Sequence, residues 1–312
     1  MRIEYHRTLI ADGVRNEAFR RALAAVIVPG VTTVADIGAG TGILGLIASR
    51  LGAREVYLYE TAEVAGVAAK VLRVNRARNC HLMPCHSAEM VDPPRVDVVV
   101  TETLGNYALE EDILETVRDA RARHLKPEGK IVPRRITQFV APVVSSRFHD
   151  ELSAWDRTGL DLDLSPARVM SFNNIYVRSF GRGDLLAEPG AVVAWDDIDL
   201  ARDNRGVRRG EASWRVARST VIYGFAVWWT AELAPGILLS TAPEAPRTHW
   251  EQLYLPVPAP MAVAPGETLA LSLRTRSSRE AGTHVAWTST HLDAAGGRRS
   301  RQALDLDKGF LP

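Results

Sequence analysis

Residues 34–45 read VADIGAGTGILG. A β-rich run reaches Gly38, glycines recur at 40 and 42, and an apolar helical pattern follows at once. Without a Cβ, Gly38, Gly40 and Gly42 let the main chain turn tightly and approach a ligand closely. Working outward, VTTVADIG (31–38) reads as a strand and ILGLIASRLG (43–52) as a helix closed by Gly52. EVYLYE (55–60) is the next strand and VAGVAAKVLRVN (64–75) the next helix. VDVVVTE (96–102) is a continuous apolar strand of the parallel kind, followed by a helix through Ile113, Leu114, Val117 and Ala120. A helix over 14–27 precedes the series. This βαβα order predicts an α/β domain built on a Rossmann-like, doubly wound parallel sheet.

The rhythm changes near Pro133. ITQFVAPVV, RSTVIYGFAVWWTAEL, HWEQLYLPV, TLALSLRTR and THVAWTSTHL are β-branched and aromatic runs separated by Pro, Gly and Ser. We therefore expect a boundary at 133/134. Residues 1–133 form the Rossmann-like domain, and 134–312 form an antiparallel β-barrel or sandwich. At 312 residues the chain is long enough for two such units. Its composition, 46% hydrophobic and 24% charged with a formal net charge of +1, is that of a globular protein and not of a nucleic-acid or membrane-surface binder. Runs such as RDNRGVRR (202–209) read as solvated loops. Cys80 and Cys85 make neither a disulfide framework nor a metal cluster, and no membrane span or signal sequence is evident. These features point to the cytoplasm.

Three acids stand at the carboxyl edge of the predicted parallel sheet, where such folds bind ligands. Asp36, two residues before Gly38, could meet a cationic amino group or a bound water. Glu60 ends the second strand, placed for the two hydroxyls of a ribose. Glu89, in HSAEM, could take the exocyclic amine of an adenine. The spacing of Gly40, Gly42 and Gly45 also satisfies a dinucleotide fingerprint, so a nicotinamide enzyme is a competing reading. A third cluster closes the fourth segment: VDVVVTETLGNYALEE (96–111) carries Glu102, Glu110 and Glu111 around a glycine and a tyrosine. Helix-dipole stabilisation would account for Glu110 and Asp112 but not for Glu102, on the strand side of the loop.

HRTLIADGVRNEAFRRAL, VADIGAGTGILGLIASRLGAREVYLYE, TETLGNYALEE, HLKPEGKIVP and RTHWEQ resemble, in the same order, the protein arginine methyltransferases. The likeness covers residues 6–135 and thins in the β-rich half, apart from Thr248, His249 and Trp250. It implies S-adenosyl-L-methionine as cofactor, held by His6, Arg15, the glycines, Glu60 and Glu89, with Arg15 on the methionyl carboxylate. It implies that Glu102 and Glu111, nine residues apart, grip a guanidinium, with Glu110 as the competing second acid. His249 would pair with Asp12, either to accept a proton or to pin the second domain to the first. Trp250 would wall the substrate pocket. WDRTGLDLDLSPARVM (155–170) falls where the family has a helical arm that docks on a partner, so a homodimer is expected, the arm spanning about 150–175.

Some positions depart from the family pattern. Tyr5 is at most a remnant of its N-terminal aromatic element. Thr103, Leu104 and Asn106 replace bulkier residues, and Leu9 and Ile113 stand where methionines often restrict the methyl count. The expected acceptor is accordingly an arginine-containing protein or peptide, free arginine or a small guanidino compound. An N-methyltransferase of another substrate and a non-catalytic relative are further alternatives. The readings separate by thermal shift: S-adenosylhomocysteine should stabilise the protein, whereas stabilisation by NADH alone would favour the dehydrogenase.

Overall fold

The computed structural model describes residues 3–157, 159, 161–278, 280 and 282–308. Two helices, α1 (Ile3–Ala11) and α2 (Gly13–Val26), precede β1 (Thr33–Ile37), α3 (Ile43–Arg50), β2 (Glu55–Tyr59), α4 (Ala65–Val74) and β3 (Cys80–Met83). Then come β4 (Val96–Thr101), α5 (Ile113–Arg123) and β5 (Leu125–Val132). The five strands are parallel, in the order β3-β2-β1-β4-β5. The doubly wound sheet is therefore as expected.

Five of the six β4 residues are buried, which accounts for its unbroken apolar character. The exception, Asp97, accepts from the Thr33 main-chain N–H and hydroxyl and from Lys126 Nζ at 2.7 Å, tying β1, β4 and the start of β5 together. At the other end of the sheet, buried Asp36 accepts the Gly45 N–H at 2.8 Å and holds α3 against β1. A Cβ on Gly45 would lie 2.5 Å from the buried Leu58 side chain, so this helix needs glycine to pack.

The remaining strands are β6 (Arg135–Val143), β7 (Tyr176–Arg178), β8 (Val193–Asp199), β9 (Val207–Arg215), β10 (Thr220–Ala234), β11 (Ile237–Ser240), β12 (Gln252–Val263), β13 (Thr268–Ser278), β14 (Gly282–Leu292) and β15 (Arg298–Asp305). One antiparallel sheet runs β7-β12-β10-β6-β8, with β11 also on β10; the other runs β15-β14-β13-β9. Large aromatics join them: Trp214 stacks on Phe225 with ring centres 5.7 Å apart, and Trp287 Nε1 donates to the Pro256 carbonyl. The structure corrects the loop reading of RDNRGVRR. Val207–Arg209 open β9, and Arg208 pairs with buried Asp196. Charge concealed this strand because only alternate side chains near its end turn inward.

Between β6 and β7 lie α6 (Arg147–Leu152), a 3₁₀ turn (Ala154–Arg157) and α7 (Ser165–Phe172). They occupy the segment where an arm is expected; Thr158 and Leu160 within it lie outside the described residues. Trp155, Leu162, Val169 and Met170 are exposed along it. Among the described residues no helix is long and apolar enough to cross a membrane. Gly45→Ala should destabilise the protein by ~1–3 kcal/mol through overpacking, read from the midpoint of denaturant unfolding.

Candidate active site

The glycine loop between β1 and α3 forms one wall of a cleft. Gly38 and Gly40 have φ of 73° and 56°, in the left-handed region that L side chains seldom adopt. A Cβ on Gly40 would come within 3.1 Å of the His6 ring, and one on Gly38 within 3.2 Å of Thr103. Glu60, just past β2, accepts the N–H groups of Gly40 and Ala62, each at 2.8 Å. Two adjoining cavities, about 150 and 270 Å³, share Gly38, Glu60, Thr103 and Glu111 along their walls. His6 and Arg15 line the smaller.

Three of the expected ligand contacts are placed differently. Asp36 lines neither cavity; it lies behind the loop on Gly45 N–H, and burial raises its carboxyl to about 7. Gly42 also lines neither, packing on Leu58 as the left-handed N-cap of α3. Glu89 is exposed at the end of a 3₁₀ turn, while its neighbours His86, Ser87 and Ala88 line the larger cavity. The periodicity of a single sequence marks such turns poorly, so the side chain that faces inward was not legible.

The acid loop forms the opposite wall. Glu102 follows β4 directly, and its Oε2 accepts from Arg15 Nε at 2.6 Å and from Arg15 Nη2. Both side chains are almost wholly buried. Glu111 faces the same cavity. Burial first, then the charges of Glu102, Glu110 and Asp112, push its carboxyl up to about 7. The two acids therefore differ: a cation from α2 compensates Glu102, and Glu111 sits beside that carboxylate. Glu110 lines neither cavity; its side chain folds over Gly105. Placement thus favours Glu111 over Glu110 as the second acid. Tyr5 lies over the same cavity, its hydroxyl pushed up to about 12 by burial and by the three loop glutamates.

The barrel grips this loop residue by residue. Trp250 Nε1 donates to the Leu104 carbonyl at 2.8 Å and Trp229 Nε1 to the Gly105 carbonyl at 2.9 Å. Glu251 N–H donates to Asn106 Oδ1 at 2.9 Å. The Tyr107 hydroxyl meets that of Thr275 at 2.7 Å, and Ser277 donates to the Leu109 carbonyl at 2.5 Å. Behind Tyr107, Gln138 reaches Asp196, which Arg208 holds in turn. Trp250 is thus a prop behind the loop and lines neither cavity, contrary to the pocket-wall expectation. Trp229, Thr275 and Ser277 escaped the sequence reading because each lies in an ordinary-looking strand.

Asp12 joins three elements. Its Oδ1 accepts the Arg15 N–H as the N-cap of α2, and its Oδ2 accepts the main-chain N–H and Nδ1 of His249, each at 2.8 Å. Burial lowers the imidazole below its usual value despite the aspartate. His249 lines neither cavity. Of the two roles left open for the pair, its placement supports the tether between domains.

A parallel sheet with a glycine-loop cleft at its carboxyl edge, roofed by a barrel-held acidic loop, defines a methyltransferase of the Rossmann-like class with an appended β-barrel. Known proteins agree. Residues 134–289 match the family described as arginine methyltransferase oligomerization subdomain, and residues 21–150 match ribosomal protein L11 methyltransferase (PrmA). The chain is 31% identical over 268 residues to protein arginine N-methyltransferase 6 of Xenopus laevis, covering 81% of this chain and 78% of that one. It is 30% identical over 295 residues to a probable protein arginine N-methyltransferase 3 of Arabidopsis thaliana, 85% of this chain and 48% of that one. In fold it is similar to the Trypanosoma brucei PRMT1 enzyme–prozyme complex with AdoHcy (TM-score 0.86, 22% identity, 96% and 97% covered). It is also similar to Arabidopsis thaliana protein arginine methyltransferase 10 (0.81, 22%, 98% of each). The chain belongs to the protein arginine methyltransferase family.

Trp229→Phe leaves the Gly105 carbonyl without its buried donor. It should cost ~1–3 kcal/mol in chemical unfolding. Turnover should fall while S-adenosylhomocysteine affinity, read by calorimetry, stays close to that of the parent.

Proposed function

We propose that this protein is an S-adenosylmethionine-dependent N-methyltransferase acting on an arginine-type guanidinium. The observation that carries the reading is the shared wall of Glu102 and Glu111 beside the glycine loop, where among the described residues only Glu102 is paired with a cation. The residues fit the cofactor: the left-handed glycines leave room at the loop, Glu60 stands between the two cavities, and His6 Nε2 is buried without a hydrogen-bond partner. Glu60 would hold the ribose hydroxyls, and Arg15 would meet the methionyl carboxylate while keeping its fork on Glu102. S-adenosylmethionine, when bound, supplies an electrophilic methyl group on a positively charged sulfur.

A guanidinium stays charged at neutral pH because its pKa exceeds ~12, and its delocalised nitrogens are weak nucleophiles. Glu102 and Glu111 bind it from two sides, draw charge away from one terminal nitrogen and fix that nitrogen's direction. The nitrogen that gains the methyl group must lose a proton. In this reading Glu111, which faces the cavity, takes it.

The acceptor in this reading is an arginine of a peptide or protein; free arginine and small guanidines are the competing substrates. The enzyme works in the cytoplasm, where Cys80 and Cys85 remain thiols. It does so as a homodimer in which the partner covers Trp155, Val169 and Met170 of the arm. The proposed division into domains follows the step from β5 to β6, at 133/134.

Mass spectrometry of products from a panel of arginine peptides, free arginine and small guanidines tests the activity; no mass increase on any of them would sink it. The pH dependence follows from Glu111. Below about 7 its carboxyl is protonated in the free protein. Binding a cation there must release that proton, so the acceptor KM should rise as pH falls, by up to ~10-fold per unit. Glu111→Gln should bind acceptor weakly at every pH, lose that slope and lower kcat, while cofactor affinity holds.

A further inference from the structure

Along β5, the outer strand of the parallel sheet, a cavity of about 650 Å³ opens between the end of α2, α5 and the β10–β11 turn. It shares no residue with the cleft around Glu102 and Glu111. Its floor is apolar, with Val26, Leu125, Ile131, Leu233 and Ala234. Five cationic side chains line it, Arg95, Arg121, Lys126, Lys130 and Arg134, and no acidic one does. Lys126 is matched by Asp97 at 2.7 Å and Arg134 by Glu232 at 3.6 Å. Arg95 donates to the carbonyls of Leu125 and Ala122, which are uncharged acceptors.

Arg121 and Lys130 meet no acid within ion-pair distance among the described residues. Other arginines on the helix of Arg121 differ: Arg118 and Arg123 pair with Asp203 and Asp119. The chain as a whole is nearly neutral at +1, so this local surplus is not a by-product of a basic composition. Like charges lining one hollow repel one another until an anion enters. Guanidinium forks suit carboxylate and phosphate oxygens. The hollow also falls within the roughly 300–1,000 Å³ typical of small-molecule sites.

We propose that this cavity binds a small organic anion with an apolar body, its carboxylate or phosphate head on Arg121 and Lys130 and its hydrocarbon part on the Leu125–Leu233 floor. The apolar floor favours such a ligand over a polyanion, which would need a longer basic stripe. The site also has a route to the acid loop. Arg95 precedes β4 and Glu102 follows it, so one strand joins the two cavities.

Isothermal titration of the full chain with octanoate and with octyl phosphate, below their micelle thresholds, tests the proposal. At least one should bind with one-to-one stoichiometry and weaken as salt is raised, and the tighter of the two identifies the head group. R121E/K130E should bind it roughly tenfold more weakly, having lost its charge-assisted contacts. Ala25→Trp, which fills the mouth from α2, should lower octyl binding by a second route. Retained methyl transfer shows that both variants are folded. No binding of either probe would overturn the assignment, as would equal binding of octyltrimethylammonium or an unchanged affinity in R121E/K130E. Inorganic phosphate binding as tightly as octyl phosphate would also overturn it, because the floor would then be idle.

Discussion

Two carboxylates held side by side away from water are intrinsically unstable, and the site depends on how that instability is contained. Arg15 neutralises Glu102 from α2, where Asp12 caps the helix and fixes the start of the turn that carries the arginine. Among the described residues Glu111 has no such partner, and burial raises its pKa. The asymmetry makes chemical sense. In the proposed mechanism one acid, fixed by Arg15, serves as an anchor, and the other exchanges a proton for a cation. Two fully compensated acids would bind a guanidinium poorly, and two uncompensated ones would share a proton and blur the geometry.

The loop that bears these acids cannot hold its shape alone. Main-chain groups at Leu104, Gly105 and Leu109 are buried, and a buried polar group without a partner is costly. The barrel supplies those partners through two tryptophan indoles and a serine hydroxyl, and Tyr107 enters a polar network that ends on Arg208. The barrel therefore supports the candidate site without lining it. Its contribution is to fix the loop that does, and the Asp12–His249 contact locks the same barrel to the helix that carries Arg15.

Much of the first domain was legible because its signals are local. Glycine conformation, strand apolarity and helical period depend on near neighbours, so the β1–α3 turn, the buried β4 and α5 emerged from the chain itself. The barrel was legible as β-rich but not strand by strand. β5 of the parallel sheet contains Pro127 and Gly129, and β9 of the barrel is dense in arginine, so neither carries the usual pattern. Asp36 and Trp250 had the right residue types in the right segments, yet each supports the site from behind. Residue type and spacing do not say which way a side chain points.

The amino-acid sequence by itself determined the class of fold, the glycine turn and the acids that flank it, since these follow from backbone sterics and from hydrophobic periodicity along short stretches. Tertiary structure alone decided that Arg15 lies against Glu102, that Glu111 and not Glu110 faces the cavity, and that Trp229 and Trp250 carry the loop. Those choices join residues 87, 124 and 146 positions apart. They are set by burial and by the need to satisfy each hidden polar group, conditions that exist only once distant segments have packed together.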